Sequence, residues 1–431
     1  MSFSFNKPTA NLSLEIFNRK RKLKSELFYI SFKRPRLSSI ESPATDNDSN
    51  IHPLPSPDTV LFPSQQVVTG WKASAPVGAG FINMGNTCYL NSALQALFHV
   101  TPFVNWLLNR KPCDQCEGKD LCIICRVSKT LEKSQAPSGN AIRPSLVYDD
   151  LASISKNLVP GSQEDAHEFL RCLIESMERS YLQSVNAAEL DPRSKETNPL
   201  SQIFGGYVRT QITCLQCRHK STTFQHFQDI SLNIQKCSTL KTALAQYFRS
   251  EKIEDYKCSS CEKNVSVTKT MSMEQSPNVL CIQLQRFDFK GRKTNESLNC
   301  PRQLNLNKYL SRPTVNGCVS YRFVSLINHI GRTQHFGHYN AMAQASNERL
   351  YLFDDCSVED VPVTQNMDSA LTASAYVLMY EKVQESSIKP KVVFRSPKNL
   401  PITFKCATKI RRSTPMKWIQ SKTQKVLPAC V

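Results

Sequence analysis

Two Cys-x-x-Cys pairs, Cys214/Cys217 and Cys258/Cys261, stand forty residues apart, and that spacing constrains the fold more than any other feature of the chain. Four soft sulfur donors in paired turns specify tetrahedral zinc, so two segments distant in sequence must meet at one ion. The long insert is tolerable because loop-closure cost rises only logarithmically with length. One structural zinc is therefore expected, with four free thiols as the alternative. No ligand is missing from the quartet, and no catalytic metal or cofactor is expected. A second group, Cys113, Cys116, Cys122 and Cys125, has five residues between its pairs. Reduced thiols on a loop are the default reading there, and a second zinc is the alternative.

The 431 residues can hold one large domain or two ordinary ones. Seventeen cysteines, an odd number, fit metal sites and free thiols in a reducing compartment better than a disulfide framework. No apolar run approaches eighteen residues, so no membrane span is expected. Arg19-Lys20-Arg21-Lys22 follows the short apolar patch Leu14 to Phe17 rather than preceding it, the wrong order for a secretion signal. An intracellular protein is expected.

The net charge of +18 is unevenly spread. Residues 1–50 carry nine Lys/Arg against five Asp/Glu, and residues 384–431 carry eleven against one, so the ends hold +14 and residues 51–383 only +4. A nearly balanced core with basic ends is the pattern of an enzyme held near a polyanion, and it argues against a nucleic-acid-binding zinc protein. Arg19 to Lys24 and Lys33-Arg34-Pro35-Arg36 are either import signals or solvated charge. Residues 1–78, with the Ser/Pro/Asp-rich stretch Ser38 to Asp58, read as a disordered leader, and 384–431 as a basic tail.

From about residue 79 to 383 the composition is globular. Leu90, Ala93, Leu94, Leu97 and Phe98 recur at helical spacing after Cys88, with Asn86 or Thr87 available as cap. Cys88 then lies among unpaired backbone N–H groups, where a thiolate is favoured over a thiol. A small buried core residue is the plainer alternative. A second helix is expected in Ser162-Gln163-Glu164-Asp165-Ala166-His167-Glu168-Phe169, capped by Ser162 with Asp165 three residues on. From Phe204 short alternating runs take over: Val208 to Thr213, Val279 to Phe287, Phe323 to Asn328 and Ala375 to Tyr380. Helices first and strands after define an α+β fold.

A nucleophilic cysteine needs a base and a group to orient it. His338 opens a strand after Gly337, and Ser346 to Arg349 makes a turn. The return through Leu350 to Phe353 then brings Asp354 and Asp355 back beside His338. His329 and His335 are rivals for the role.

In order and spacing, the Cys88 segment, the Gln163 to Phe169 helix start, Gly337-His338-Tyr339 and Phe353-Asp354-Asp355 resemble the motifs of the ubiquitin-specific proteases. The resemblance covers residues 79–383. It implies a papain-like cysteine protease fold with a helical thumb, a β-rich palm and a zinc-ribbon fingers subdomain at about 204–285 that grips ubiquitin. It also implies a thiol-dependent deubiquitinase with Cys88 as nucleophile, His338 as base, Asp354 as orienting acid, Asp355 as supporter and Asn83 as oxyanion donor. Gln163, Asp165, Glu168 and Tyr339 are the implied substrate-binding residues, Asp165 and Glu168 meeting ubiquitin's basic tail from an exposed helix start. Thr59 to Pro63, Ser138 to Ile142 with Pro144, and Gln202 to Tyr207 are similar to the nucleolar branch, although Asp354 stands where that branch usually has asparagine. That branch implies work in the nucleus or nucleolus, with the cytoplasm as second choice, on histones or ribosome-assembly factors. The tails would contact nucleic acid or import receptors.

Overall fold

The computed structural model describes residues 53–110, 116, 122–136, 140–288, 292–294, 296–312, 318–333, 336–362 and 374–383, and the backbone of a two-residue strand, β1 (Ile40–Glu41). The basic clusters at 19–24 and 33–36, Cys113, His335 and the tail 384–431 lie outside the described residues.

Helices come first: α1 (Cys88–Leu97), α2 (Thr101–Asn109), α3 (Ile123–Gln135), α4 (Ser145–Tyr148), α5 (Leu151–Ile154), α6 (Ala166–Ser184), α7 (Pro192–Lys195) and α8 (Pro199–Phe204). There follow β2 (Gly206–Cys214), β3 (Lys220–Phe227), β4 (Asp229–Asn233), α9 (Leu240–Tyr247), β5 (Glu251–Lys257), β6 (Asn264–Gln275) and β7 (Val279–Gln285). The chain closes with β8 (Gln303–Asn305), β9 (Ser320–Thr333), β10 (Phe336–Gln344), β11 (Leu350–Asp354), β12 (Ser357–Val361) and β13 (Ala375–Lys382).

Every residue of α1 is buried, Leu90, Leu94 and Leu97 completely. A helix buried on all sides needs partners on all sides, and α1 finds them in α6 on one side and in β10 and β9 on the other. Each buried leucine contributes roughly 1.5–3 kcal/mol. Ser325 of β9 donates its hydroxyl to the Ala96 carbonyl at 3.0 Å, satisfying an acceptor in the last turn of α1.

The strands form two sheets. The larger runs β12-β11-β10-β9-β13-β7-β4 with β8 added beside β9, and β4–β7 is its one parallel pair among the described strands. One face carries α1 and the helical core, while α9 packs against the other with Leu232, Leu280, Ile282 and Leu378. The smaller sheet runs β1-β3-β2-β6-β5 and is the fingers. The expected fingers range of about 204–285 needs correction at this point, because β4, α9 and β7 lie inside it yet belong to the larger sheet. Six of the seven residues of β7 are buried, as a strand covered on both faces must be.

The leader also differs from expectation. Residues 53–78 are not a disordered approach but a strap laid along the domain. Thr59 donates its amide to Ser194 at 2.8 Å and Phe62 to the Thr197 carbonyl at 3.1 Å, while Asn105 donates to the Val68 and Gly70 carbonyls at 3.0 Å each. Phe62, Val67 and Trp71 pack on the helical core. Composition missed this because three apolar anchors suffice to fix a polar strap.

At Gly70 the strap meets Glu381 of β13, which is 1% exposed. This carboxylate accepts from the Gly70 amide at 2.6 Å, the Thr101 hydroxyl at 2.6 Å and Arg322 at 3.1 Å. Strap, α2 and sheet therefore converge on one buried charge, and its donors make that burial tolerable.

Candidate active site

The turn before α1 aims its first residue. Gly85 and Asn86 take positive φ, 98° and 56°. The Asn83 side-chain oxygen accepts from the Gly85 and Thr87 amides at 3.1 Å each, and the Thr87 hydroxyl accepts from the Met84 amide at 2.9 Å. Thr87 is the N-cap residue but makes no side-chain cap, and Asn86 points away to the Gly161 carbonyl at 2.8 Å. The expected Asn86 or Thr87 cap is thus replaced by a turn held from Asn83, which leaves the first helical N–H groups near Cys88 without a capping side chain. Cys88 itself is 4% exposed.

Strand β10 brings His338 to this helix end, and the antiparallel β10–β11 register, Ala341 opposite Phe353, returns Asp354 beside it. Nε2 of His338 lies 2.5 Å from Oδ1 of Asp354, so Nδ1 is the ring nitrogen left for the thiol. The Cys88 thiol, ahead of the Asp354 carboxylate, holds the His338 imidazole well above its ordinary range, at about 9, against the opposing effect of partial burial. A positive imidazolium between a thiol and a carboxylate is what a cysteine nucleophile needs.

Behind Asp354 runs a chain of amides that the sequence reading did not foresee. Asn340 donates to Oδ2 of Asp354 at 3.3 Å and accepts from Asn328 at 2.9 Å, and Asn328 accepts from the Ser374 hydroxyl at 2.9 Å. The period-2 rule was the available signal, since Asn340 lies two residues beyond His338 on the same face of its strand. Asp355 turns the other way, with φ at 48°. It accepts from Asn83 at 2.9 Å and from buried Asn91 of α1 at 2.8 Å, while its carbonyl accepts from the Phe81 amide at 2.7 Å. Asp355 therefore joins the sheet to both sides of the nucleophile turn, and Asn83 holds that turn while its amide group faces Asp355.

The rival His329 is fully buried, with Phe287, Tyr339 and Tyr376 around its ring. Burial, then the Lys293 charge, pushes it down to about 4, so it is neutral at physiological pH.

The expected substrate-binding residues divide. Gln163 is exposed and Glu168 half-buried. Asp165, expected at an exposed helix start, is 7% exposed and is itself the cap of α6, accepting from the His167 and Glu168 amides at 2.8 and 3.0 Å and from the Tyr376 hydroxyl at 2.6 Å. The cap lies three residues after the expected Ser162, at the carboxylate that the Tyr376 hydroxyl also holds. Tyr339, at 4% exposure, faces the interior beside His329.

At the far end of the fingers, the sulfurs of Cys214, Cys217, Cys258 and Cys261 lie within 4.8 Å of one another, Cys217 to Cys258 at 3.7 Å. Zinc–sulfur bonds of about 2.3 Å place tetrahedral sulfurs about 3.8 Å apart. The two turns share one hydrogen-bond pattern. Cys214 accepts from the Arg218 amide and donates to the His219 carbonyl, and Cys258 does the same with Glu262 and Lys263. Arg218 and Glu262 both take positive φ, 63° and 56°. The Cys217 and Gln216 amides hold the Cys214 thiol down at about 6, and those of Cys261 and Ser260 lower Cys258. Four convergent sulfurs with amides aimed at them fit a zinc ion.

A cysteine at the head of a buried helix, facing a His–Asp pair on a sheet, places this domain in the papain-like class of cysteine hydrolases. The family model described as ubiquitin carboxyl-terminal hydrolase matches residues 79–380, and the chain belongs to that family. It is 44% identical over 368 residues to Ubiquitin carboxyl-terminal hydrolase 36 of Drosophila mojavensis, covering 82% of this chain and 31% of the relative. Against the protein of the same name from Drosophila erecta it is 45% identical over 345 residues, covering 77% and 31%. The chain thus spans about a third of the length of the curated relatives it matches. Among solved structures, the SAGA Ubp8/Sgf11/Sus1/Sgf73 module bound to ubiquitin aldehyde aligns with a TM-score of 0.63 at 25% identity, over 74% of this chain and 72% of that one. The monoubiquitin-bound form of the module aligns with the same score and coverage at 27% identity.

Proposed function

We propose that the protein is a thiol-dependent deubiquitinase that hydrolyses the isopeptide or peptide bond after the C-terminal glycine of ubiquitin. The observation that carries this reading is His338 held between Cys88 and Asp354 at the head of α1. The Cys88 thiolate attacks the glycine carbonyl, and backbone amides at the start of α1 stabilise the oxyanion together with the second side-chain N–H of Asn83, whose other N–H donates to Asp355, one such donor counting for roughly 3–4 kcal/mol. Protonated His338 releases the substrate amine, and water then hydrolyses the thioester. Asp354 holds Nε2 of the ring so that Nδ1 serves the sulfur, and Asp355 keeps the nucleophile turn and the sheet in register.

Ubiquitin's tail is extended and basic. Glu168 and Gln163, on the open side of the α6 start, suit direct contact with it. Asp165 and Tyr339 contribute from beneath, Asp165 by fixing the first turn of α6 and Tyr339 by anchoring the strand it shares with His338 against His329 and Tyr376. Zinc in the fingers quartet is structural and keeps the small sheet rigid enough to grip a folded partner. The relatives' name, the resemblance to the nucleolar branch and the basic ends support a nuclear or nucleolar setting, with histones or ribosome-assembly factors as conjugates.

Incubation with a ubiquitin C-terminal electrophile tests the reading. The intact protein is expected to gain one ubiquitin adduct and the Cys88→Ala variant none; an intact protein without adduct, or an equally labelled variant, defeats it.

A further inference from the structure

Among the described residues, one more group of thiols converges outside the fingers and the active site. The sulfurs of Cys116, Cys122 and Cys125 lie within 4.8 Å of one another, although nothing in the catalytic arrangement uses them. Cys122 is the N-cap residue of α3, and Cys125 is the third residue of that thirteen-residue helix. Both sulfurs therefore belong to the turn whose amides have no helical partner and whose dipole favours negative charge. Three donors point at the group. The Cys122 amide donates to the Cys116 sulfur at 3.2 Å, Arg110 at the end of α2 donates to the Cys125 sulfur at 2.6 Å, and Ser180 of α6 hydrogen-bonds to Cys122.

Three neutral thiols would gain little from a guanidinium, but three thiolates around a divalent cation carry one surplus negative charge, which a single arginine offsets. Amide N–H groups likewise donate to the ligand sulfurs of a thiolate metal site, and the fingers quartet shows the same feature in the Cys217 amide, 3.4 Å from the Cys214 sulfur. We propose that Cys116, Cys122 and Cys125 form a second structural metal site, taking zinc or another thiophilic divalent ion, independent of the fingers quartet. The fourth position of the tetrahedron belongs to a further donor. Such an ion fastens Cys116 to the first turn of α3, beside α6. Ile123, Ile124, Val127 and Leu131 of α3 lie in the core that α1 shares, so the site stiffens the half of the domain that holds the nucleophile.

Metal content of the full-length chain, measured by plasma mass spectrometry after gel filtration, tests this. The wild type is expected to carry about two zinc per chain, Cys214→Ser/Cys258→Ser about one, and Cys122→Ser/Cys125→Ser about one. A single zinc in the wild type, lost entirely in the fingers variant, overturns the proposal. Because the α3 variant could fail to fold, the wild type is also alkylated with and without a chelator, with buried Cys281 as the folding control. Cys116 and Cys122 should react several-fold faster after chelation while Cys281 stays unreacted. Equal rates with and without the chelator reject the site.

Discussion

The Asn91 side-chain amide lies 2.8 Å from a carboxylate oxygen of Asp355, which ties the first turn of the nucleophile helix to the residue directly after the orienting Asp354. With Asn83 on the other oxygen at 2.9 Å, one acid sets the distance between the two halves that share the chemistry. Asp355→Ala and Asn91→Ala are each expected to lower kcat by about 10-fold or more, since a hydrogen bond to a charged group counts for about 1.5–3 kcal/mol. KM should change less than kcat. Hydrolysis of a ubiquitin C-terminal fluorogenic amide reads both, and an unchanged kcat in both variants removes the positioning role.

The elevated pKa of His338, about 9, fixes a sign. Its protonated form is stabilised by folding, so its contribution to stability is complete below about 6.5 and lost as pH rises through about 9. The alkaline limb of kcat/KM is expected near pH 9. Asp354→Asn removes the carboxylate's share of the elevation and should move that limb to lower pH, and the melting temperature of the variant should fall less between pH 6.5 and 9 than that of the wild type. A limb that stays in place contradicts the assignment.

In the fingers, Cys214→Ser with Cys258→Ser is expected to remove about one zinc per chain and to raise KM for ubiquitin substrates more than it lowers kcat. The active site is formed by other strands, β10 and β11. Metal analysis with steady-state kinetics checks this, and zinc content equal to wild type refutes the ligand assignment.

At the apolar tip beside the site, Ile330 is 50% exposed and pairs directly across β9–β10 with His338, so the two side chains emerge on one face. Phe336, 64% exposed, lies two residues before His338. Ile330→Ser is expected to raise KM for ubiquitin substrates several-fold with little change in melting temperature, because the side chain is already solvated. A KM within error of wild type shows that substrate does not cross this tip.

Much of this was legible in sequence for identifiable reasons. The α1 stripe from Leu90 to Leu97 is a local periodicity, and the hairpin from His338 to Asp354 is set by strand and turn lengths, so neither needed tertiary knowledge. The start of α6 misled because Ser162 and Asp165 both make acceptable caps, and what decided between them was Tyr376, some two hundred residues away. Asn91, Asn328 and Asn340 went unseen because a buried amide looks like a surface amide until its acceptor is known. The fingers range ran too long for a related reason: β4 alternates much as its neighbours do, and only sheet order assigns it and β7 elsewhere.

The strap leaves the family motifs behind. Its first described residue is 53, whereas the family match begins at residue 79. A fragment trimmed to the match would strip the Gly70 amide from Glu381 and unseat Phe62 and Trp71, leaving a half-solvated carboxylate in a hole. Such a fragment should melt several degrees lower and aggregate more readily, even with every catalytic residue present. For this chain the stretch that defines the family is shorter than the unit of folding.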